Sequence, residues 1–321
     1  MTIKVNASRP AAHRKAIIFC CDTGYLPYAS LAAEQILQST PRHDFDICIA
    51  FNERPVRLPE SLSHLNIRLL KVDIGTMFEG LRLDAGKSHD VYLRLALPQA
   101  LREEYDRILY MDADIYVQSG DFSALMDCDL GPRPLAAVRD NIQWRTPTRR
   151  AMQFKRLGLP SAPYFNAGIL LMDVHNYMAS NLLEKCVDLG RKEASRMIRH
   201  DQNLYNSVLQ GNWAELSPFW NWQYSWAARF FCDVQGPHVI HFIGNSKPWK
   251  DTDGQFPPRF RLHYSRFIRA HFPDHPDCHI PHSQLPPDGI RMRKMLIKHL
   301  LSSKAIGRYL GRFPTDLTVI K

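Results

Sequence analysis

At 321 residues, with 45% apolar and 23% charged side chains, the chain has the composition of a soluble globular protein and room for one large α/β domain plus an appendage. No apolar run approaches the roughly 18 residues of a membrane span, and the first residues lack the apolar core of a signal peptide. The net charge of +9 is concentrated: residues 289–321 hold eight Lys/Arg against one acid, Asp316, a local +7 that leaves +2 for the rest. That distribution excludes a domain coated for nucleic acid and points to a local anionic partner.

Residues 1–14, polar and basic, read as a disordered lead-in. Residues 15–21 form an apolar strand ending at Asp22-Thr23-Gly24-Tyr25, and 28–38 read as a helix. Strands at 45–51 and 67–72 follow, then a helix over 91–101 that Pro98 interrupts. Further strands are expected at 107–111, 135–138 and 165–172, and helices at 182–191 and 201–209. This alternation predicts an α/β fold with a mostly parallel sheet covered by helices on both faces. From 251 to 288 the chain is Pro- and His-rich, the pattern of an irregular wrap. Of seven scattered cysteines, Cys20, Cys21 and Cys48 lie inside apolar runs as small core residues, which fits a reducing cytoplasm. No glycine-rich phosphate loop is present, which counts against a Rossmann dehydrogenase or a P-loop enzyme.

The most informative segment is Asp112-Ala113-Asp114, at the end of the strand Arg107-Ile108-Leu109-Tyr110-Met111. Extended backbone has a period of two, so both carboxylates point to one side. Two carboxylates there repel unless a cation lies between them, and oxygen ligands suit a hard divalent ion that also grips phosphates. The alternative is a pair of turn-capping aspartates.

Several further segments, in order, resemble glycosyltransferase family 8, the retaining sugar-nucleotide transferases that include bacterial lipopolysaccharide galactosyl- and glucosyltransferases and glycogenin. They are Phe19 to Tyr25, Tyr92-Leu93-Arg94-Leu95, Leu109 to Asp114, Tyr164-Phe165-Asn166-Ala167-Gly168-Ile169-Leu170-Leu171, His200-Asp201-Gln202-Asn203 and His238 to Trp249. The resemblance implies a GT-A fold over residues 15–250, a single Rossmann-like sandwich whose strand ends hold a nucleotide and a metal. It implies Asp112, Asp114 and His241 as ligands of Mn²⁺, with Mg²⁺ as the second choice; a mixed nitrogen and oxygen set favours manganese. It places Cys20, Asp22, Tyr25, Ala113, Gly244 and Lys247 around the nucleotide of a UDP-sugar, with Lys247 neutralising the departing diphosphate. Arg94, Asn166, Asp140 and Asp201 would face the donor sugar, and Gln202 the anomeric carbon. An amide is a poor nucleophile, so front-face departure and attack through an oxocarbenium-like ion pair is expected rather than a covalent intermediate.

The expected activity is thus Mn²⁺-dependent, retaining transfer of galactose or glucose from a UDP-sugar to a glycan, lipopolysaccharide or another lipid-linked oligosaccharide. Rival readings are a non-catalytic sugar-nucleotide or glycan-binding module and a nucleotidyltransferase. In residues 289–321, Met292, Met295, Leu296, Leu300, Ile306, Tyr309 and Leu310 share one helical face and most of the basic residues take the other. The pattern predicts a basic amphipathic tail, either an interfacial helix at the inner face of the cytoplasmic membrane or a helix packed on the domain with its basic face solvated.

Overall fold

The computed structural model describes residues 3–52, 55–84, 89–198, 200–225, 228–279 and 289–321. Its strands are β1 (Lys4–Ala7), β2 (Lys15–Cys20), β3 (Asp46–Phe51), β4 (Arg68–Asp73), β5 (Arg107–Met111), β6 (Ile115–Val117), β7 (Leu135–Arg139), β8 (Phe165–Asp173), β9 (Ala214–Leu216), β10 (Trp222–Gln223), β11 (Val239–His241) and β12 (Val319–Ile320). Its α-helices are α1 (Leu26–Ser39), α2 (Leu93–Ala100), α3 (Phe122–Met126), α4 (Met152–Leu157), α5 (Val174–Ala179), α6 (Leu182–Lys192), α7 (Asp201–Leu209), α8 (Arg229–Gln235), α9 (Pro258–His271) and α10 (Gly289–Leu310).

Nine strands form one sheet in the order β1-β4-β3-β2-β5-β8-β7-β9-β12. Strands β2, β3, β4, β5, β7 and β9 run one way, while β1, β8 and β12 run against their neighbours. The sheet is therefore mostly parallel, as the alternation of elements implies. Period-two alternation sorts its side chains between two apolar layers: Ile17, Phe19, Leu109 and Met111 enter one, Ala16, Ile18, Ile108 and Tyr110 the other. Helices α1 and α9 cover the first layer; α2, α6 and α7 cover the second. Because both faces are covered, central strands such as β3 are buried along their whole length and read as unbroken apolar runs.

A small second sheet, ordered β10-β11-β6, closes over the carboxyl ends of the parallel strands. Its register sets His241 opposite Ile115, one residue past Asp114, and the Phe242 amide donates to the Asp114 carbonyl at 3.0 Å. The third ligand candidate thus reaches the aspartates through strand pairing across more than a hundred residues of sequence.

Two sequence expectations change and a third is narrowed. Within the expected lead-in, β1 is an edge strand paired antiparallel to β4, and Arg9 anchors the segment on the buried Asp46 at 2.9 Å. The expected irregular wrap contains α9, which buries Phe260, Tyr264, Phe267 and Ile268 at helical spacing behind Pro257 and Pro258, tolerated at a helix start; residues 280–288 of the wrap lie outside the described residues. The tail packs on the domain, one of its two expected forms. Met295, Ser302, Ile306 and Tyr309 of α10 are buried, Tyr309 and Arg312 bond the buried Glu215 at 3.0 Å beside Arg139, and β12 pairs with β9. Only the first part of α10 is bare, with Ile290, Leu296, Ile297, Leu300 and Leu301 exposed.

Candidate active site

Tyr110 and Asp112 sit two residues apart and share a side; Tyr110 donates to Asp112 Oδ1 at 2.5 Å. Asp112, Asp114 and His241 each present an atom within 4.8 Å of the others. His241 Nε2 lies 3.2 Å from Asp114 Oδ1 and 3.8 Å from Asp112 Oδ2. Lys247 Nζ donates to Asp114 Oδ2 at 2.6 Å and also to the Phe242 carbonyl. Burial pushes the Asp114 carboxyl up, but His241 and Lys247 outweigh it and hold that group well below the usual carboxylate range.

The protonation of His241 follows from a chain of hydrogen bonds that starts at the backbone. The Gly168 amide can only donate, so Asn166 Oδ1, at 3.1 Å, is an acceptor. Asn221 Nδ2 donates to that same oxygen at 3.0 Å, which turns Asn221 Oδ1 toward His241 Nδ1, also at 3.0 Å. Nδ1 must then carry a proton, which leaves Nε2 as the ring nitrogen that a metal between the two carboxylates would take. Two carboxylates and an imidazole nitrogen so grouped are a donor set that a divalent cation takes. Gly168 makes room: a Cβ there would stand 2.2 Å from His241 Cε1 and 2.9 Å from Asp112 Oδ2. The donor set and the space between its members therefore fit a divalent metal. Gly168, Asn221 and Tyr110 carry no role in the sequence reading. Period two exposes Tyr110; Asn221 has no signal until β10 is paired.

Arg94 on α2 links the carboxylates. Its Nη1 lies 3.0 Å from Asp112 Oδ1 and donates to the Ala167 carbonyl at 3.0 Å, its Nε is 3.2 Å from Asp201 Oδ2, and its guanidinium sits over Tyr110 at 4.3 Å. Burial raises the pKa of Asp201, and neighbouring Asp112 pushes the same way against Arg94. Gln202, next on α7, accepts from Ala167 N at 3.2 Å and donates to Asp140 Oδ2 at 3.3 Å; Asp140 Oδ1 caps the turn at Ile142. Asp140, Asn166 and Gln202 line a cavity of about 610 Å³, and Asp201 meets Asp112 through Arg94.

Of the nucleotide-side candidates, Gly244 lines that cavity and the others do not. Cys20 ends β2. Asp22 Oδ1 accepts from Gly24 and Tyr25 amides at 3.0 and 3.1 Å, so the local turn already uses this oxygen. Tyr25 is 41% exposed and packs edge-on against Trp249, itself stacked on Tyr28 at 3.9 Å. Ala113 is buried between its aspartates. Gly244 has φ +85° with open space where a side chain would be, a backbone conformation that favours glycine.

The family model of glycosyl transferase family 8 matches residues 16–253. The chain belongs to this family. It is 28% identical over 202 residues to General stress protein A of Bacillus subtilis, covering 58% of this chain and 68% of that one. It is 29% identical over 171 residues to lipopolysaccharide 1,3-galactosyltransferase of Salmonella typhimurium, covering half of each. The chain thus spans between half and about two thirds of the length of these curated relatives. The structure of galactosyltransferase LgtC with donor and acceptor sugar analogs aligns at a TM-score of 0.64 and 20% identity, over 80% of this chain and 96% of that one. The family 8 chain has the GT-A fold.

Proposed function

We propose that the chain transfers a hexose, galactose or glucose, from a UDP-sugar to a glycan acceptor of the lipopolysaccharide or lipid-linked oligosaccharide type, with Mn²⁺ bound by Asp112, Asp114 and His241. The observation that carries this reading is the grouping of His241 Nε2 with the carboxylates of Asp112 and Asp114, with Lys247 beside them. A bound Mn²⁺ would supply positive charge against the diphosphate. Lys247 then stabilises charge developing on the leaving group, and Arg94 holds Asp112 and Asp201 in register. Gln202, locked between Ala167 and Asp140, presents an amide beside the reacting carbon, which supports front-face exchange over a covalent adduct.

A membrane-surface acceptor is supported by α10. Leu296, Ile297, Leu300 and Leu301 are exposed beside Arg293, Lys294 and Lys304, and the helix packs against α8 through Arg229, which lines the sugar-side cavity. Among the described residues no helix is long and apolar enough to cross a membrane.

The test is UDP release from a panel of UDP-sugars with Mn²⁺ or EDTA. Metal-dependent release from one donor, falling by about a hundredfold or more in Asp114→Asn, is expected; absence of UDP binding overturns the assignment. Binding to anionic vesicles should be lost in Leu300→Ser/Leu301→Ser while thermal stability stays within about 0.5 kcal/mol. Equal vesicle binding by that variant removes the membrane reading.

A further inference from the structure

We propose that the acceptor carries an anionic group, phosphate or carboxylate, close to the hydroxyl that is glycosylated. This inference rests on the transferase reading and names the substrate class of its second site. The sugar-side cavity is lined by four cations, Arg149, Arg150, Lys155 and Arg229, and one carboxylate, Asp140, a surplus of three positive charges. Asp140 accepts from the Ile142 amide and from Gln202. Among the described residues Arg149, Arg150 and Lys155 form no ion pair, and Arg150 Nε is buried without a hydrogen-bond partner. Elsewhere in this cleft the rule is the opposite, since Arg94 and Lys247 each lie against carboxylates.

Arg229 is held as a fixed positive wall. Its guanidinium sits 5.0 Å from the Tyr224 ring centre and 5.3 Å from that of Phe256, and Nη1 donates to the Gln255 carbonyl at 2.7 Å. Like-charged side chains converging on one cavity repel, and an anion between them relieves the repulsion and receives charge-assisted hydrogen bonds. Arg149 and Lys155 are exposed and stand at the mouth, where a second substrate enters over a donor sugar resting on Asn166 and Gln202. The position assigns the charge to the acceptor rather than to the transferred sugar.

The experiment titrates the full chain, loaded with UDP and Mn²⁺, with glucose, glucose 6-phosphate, glucuronate and inorganic phosphate. Both anionic sugars are expected to bind about tenfold or more tightly than glucose. That advantage should shrink to about threefold or less in Arg149→Gln/Arg150→Gln/Lys155→Gln. The ratio is taken within each protein, so general damage moves all probes together. Should the variant not fold, the unmodified chain still decides: its advantage must fall as salt rises. Equal affinities for the three sugars, an advantage that survives the substitutions, or one insensitive to salt would falsify the proposal. Inorganic phosphate binding as tightly as glucose 6-phosphate also overturns it, as does a UDP-glucuronate preference that the same variant loses, since the charge then belongs to the donor. If UDP binds and a donor is consumed while the sugars bind equally, this proposal alone fails. If UDP does not bind, the transferase reading fails and takes this one with it.

Discussion

The two ends of the cleft handle charge in opposite ways. At the metal end Asp112, Asp114, Arg94, His241 and Lys247 form a closed set in which each charge faces a partner within 3.2 Å. At the sugar end Arg149, Arg150 and Lys155 converge without ion pairs among the described residues. A paired set is built to exchange partners without moving, with Lys247 and the histidine already where a diphosphate and a cation are needed. An unpaired set recognises something that arrives with its own charge. Preorganisation belongs to the first end and selectivity to the second.

The largest effect should come from the smallest residue. Gly168→Ala places a methyl group 2.2 Å from His241 Cε1 and 2.6 Å from Nδ1, so the imidazole must leave its position. We expect metal-dependent UDP release to fall by about a hundredfold or more, with the circular dichroism spectrum unchanged. Gly244→Ala meets open space at φ +85° and carries only backbone strain of about 1 kcal/mol. If the two alanines behave alike, close packing at the metal end is not what sets activity.

Asn221→Leu acts one bond further out. It removes the acceptor that holds the proton on His241 Nδ1, freeing the ring to present N–H toward the carboxylates. Mn²⁺ affinity should fall by about 10- to 100-fold, read by Mn²⁺ titration without substrate, while activity is recovered at saturating metal. Unchanged affinity would mean that the backbone-anchored hydrogen-bond chain does not govern the tautomer.

Much of the metal end was legible in the sequence because its residues lie in local motifs, one of them at the end of a predictable strand. Asp112 and Asp114 follow a continuous apolar run, and His241 and Lys247 share a single loop-flanked motif. What was illegible depends on pairing between distant segments. β10 and β11 are two and three residues long, too short for periodicity to reveal, yet their register brings Asn221 to His241. The packing of α10 was one of two open readings, and its partner was hidden for the same reason. Its helical face suggested an amphipathic surface element, but the partner of Tyr309 and Arg312 is Glu215, a buried carboxylate on β9 with no local mark of that role. The cations of the sugar end were passed over because Arg149 and Arg150 sit in a polar loop, where arginine is ordinary.

A last pair of variants, ending on the smallest expected effect, separates the ends by stability alone. Lys247→Met leaves the Asp114 carboxylate nearly buried with one fewer cation, which should destabilise the metal-free chain by about 3 kcal/mol. Because Asp114 is held below the usual carboxylate range in the folded chain, its contribution is complete above the ordinary value near 4 and is lost as pH falls toward the folded one. The variant should therefore be closest to the parent in acid and furthest from it near neutrality. Arg149→Gln removes a charge that opposes its neighbours, so its unfolding midpoint should stay level or rise, within about 0.5 kcal/mol. Thermal unfolding of both variants across pH reads the contrast directly. A destabilised Arg149→Gln would mean that this arginine is paired in solution and that the two ends follow one rule.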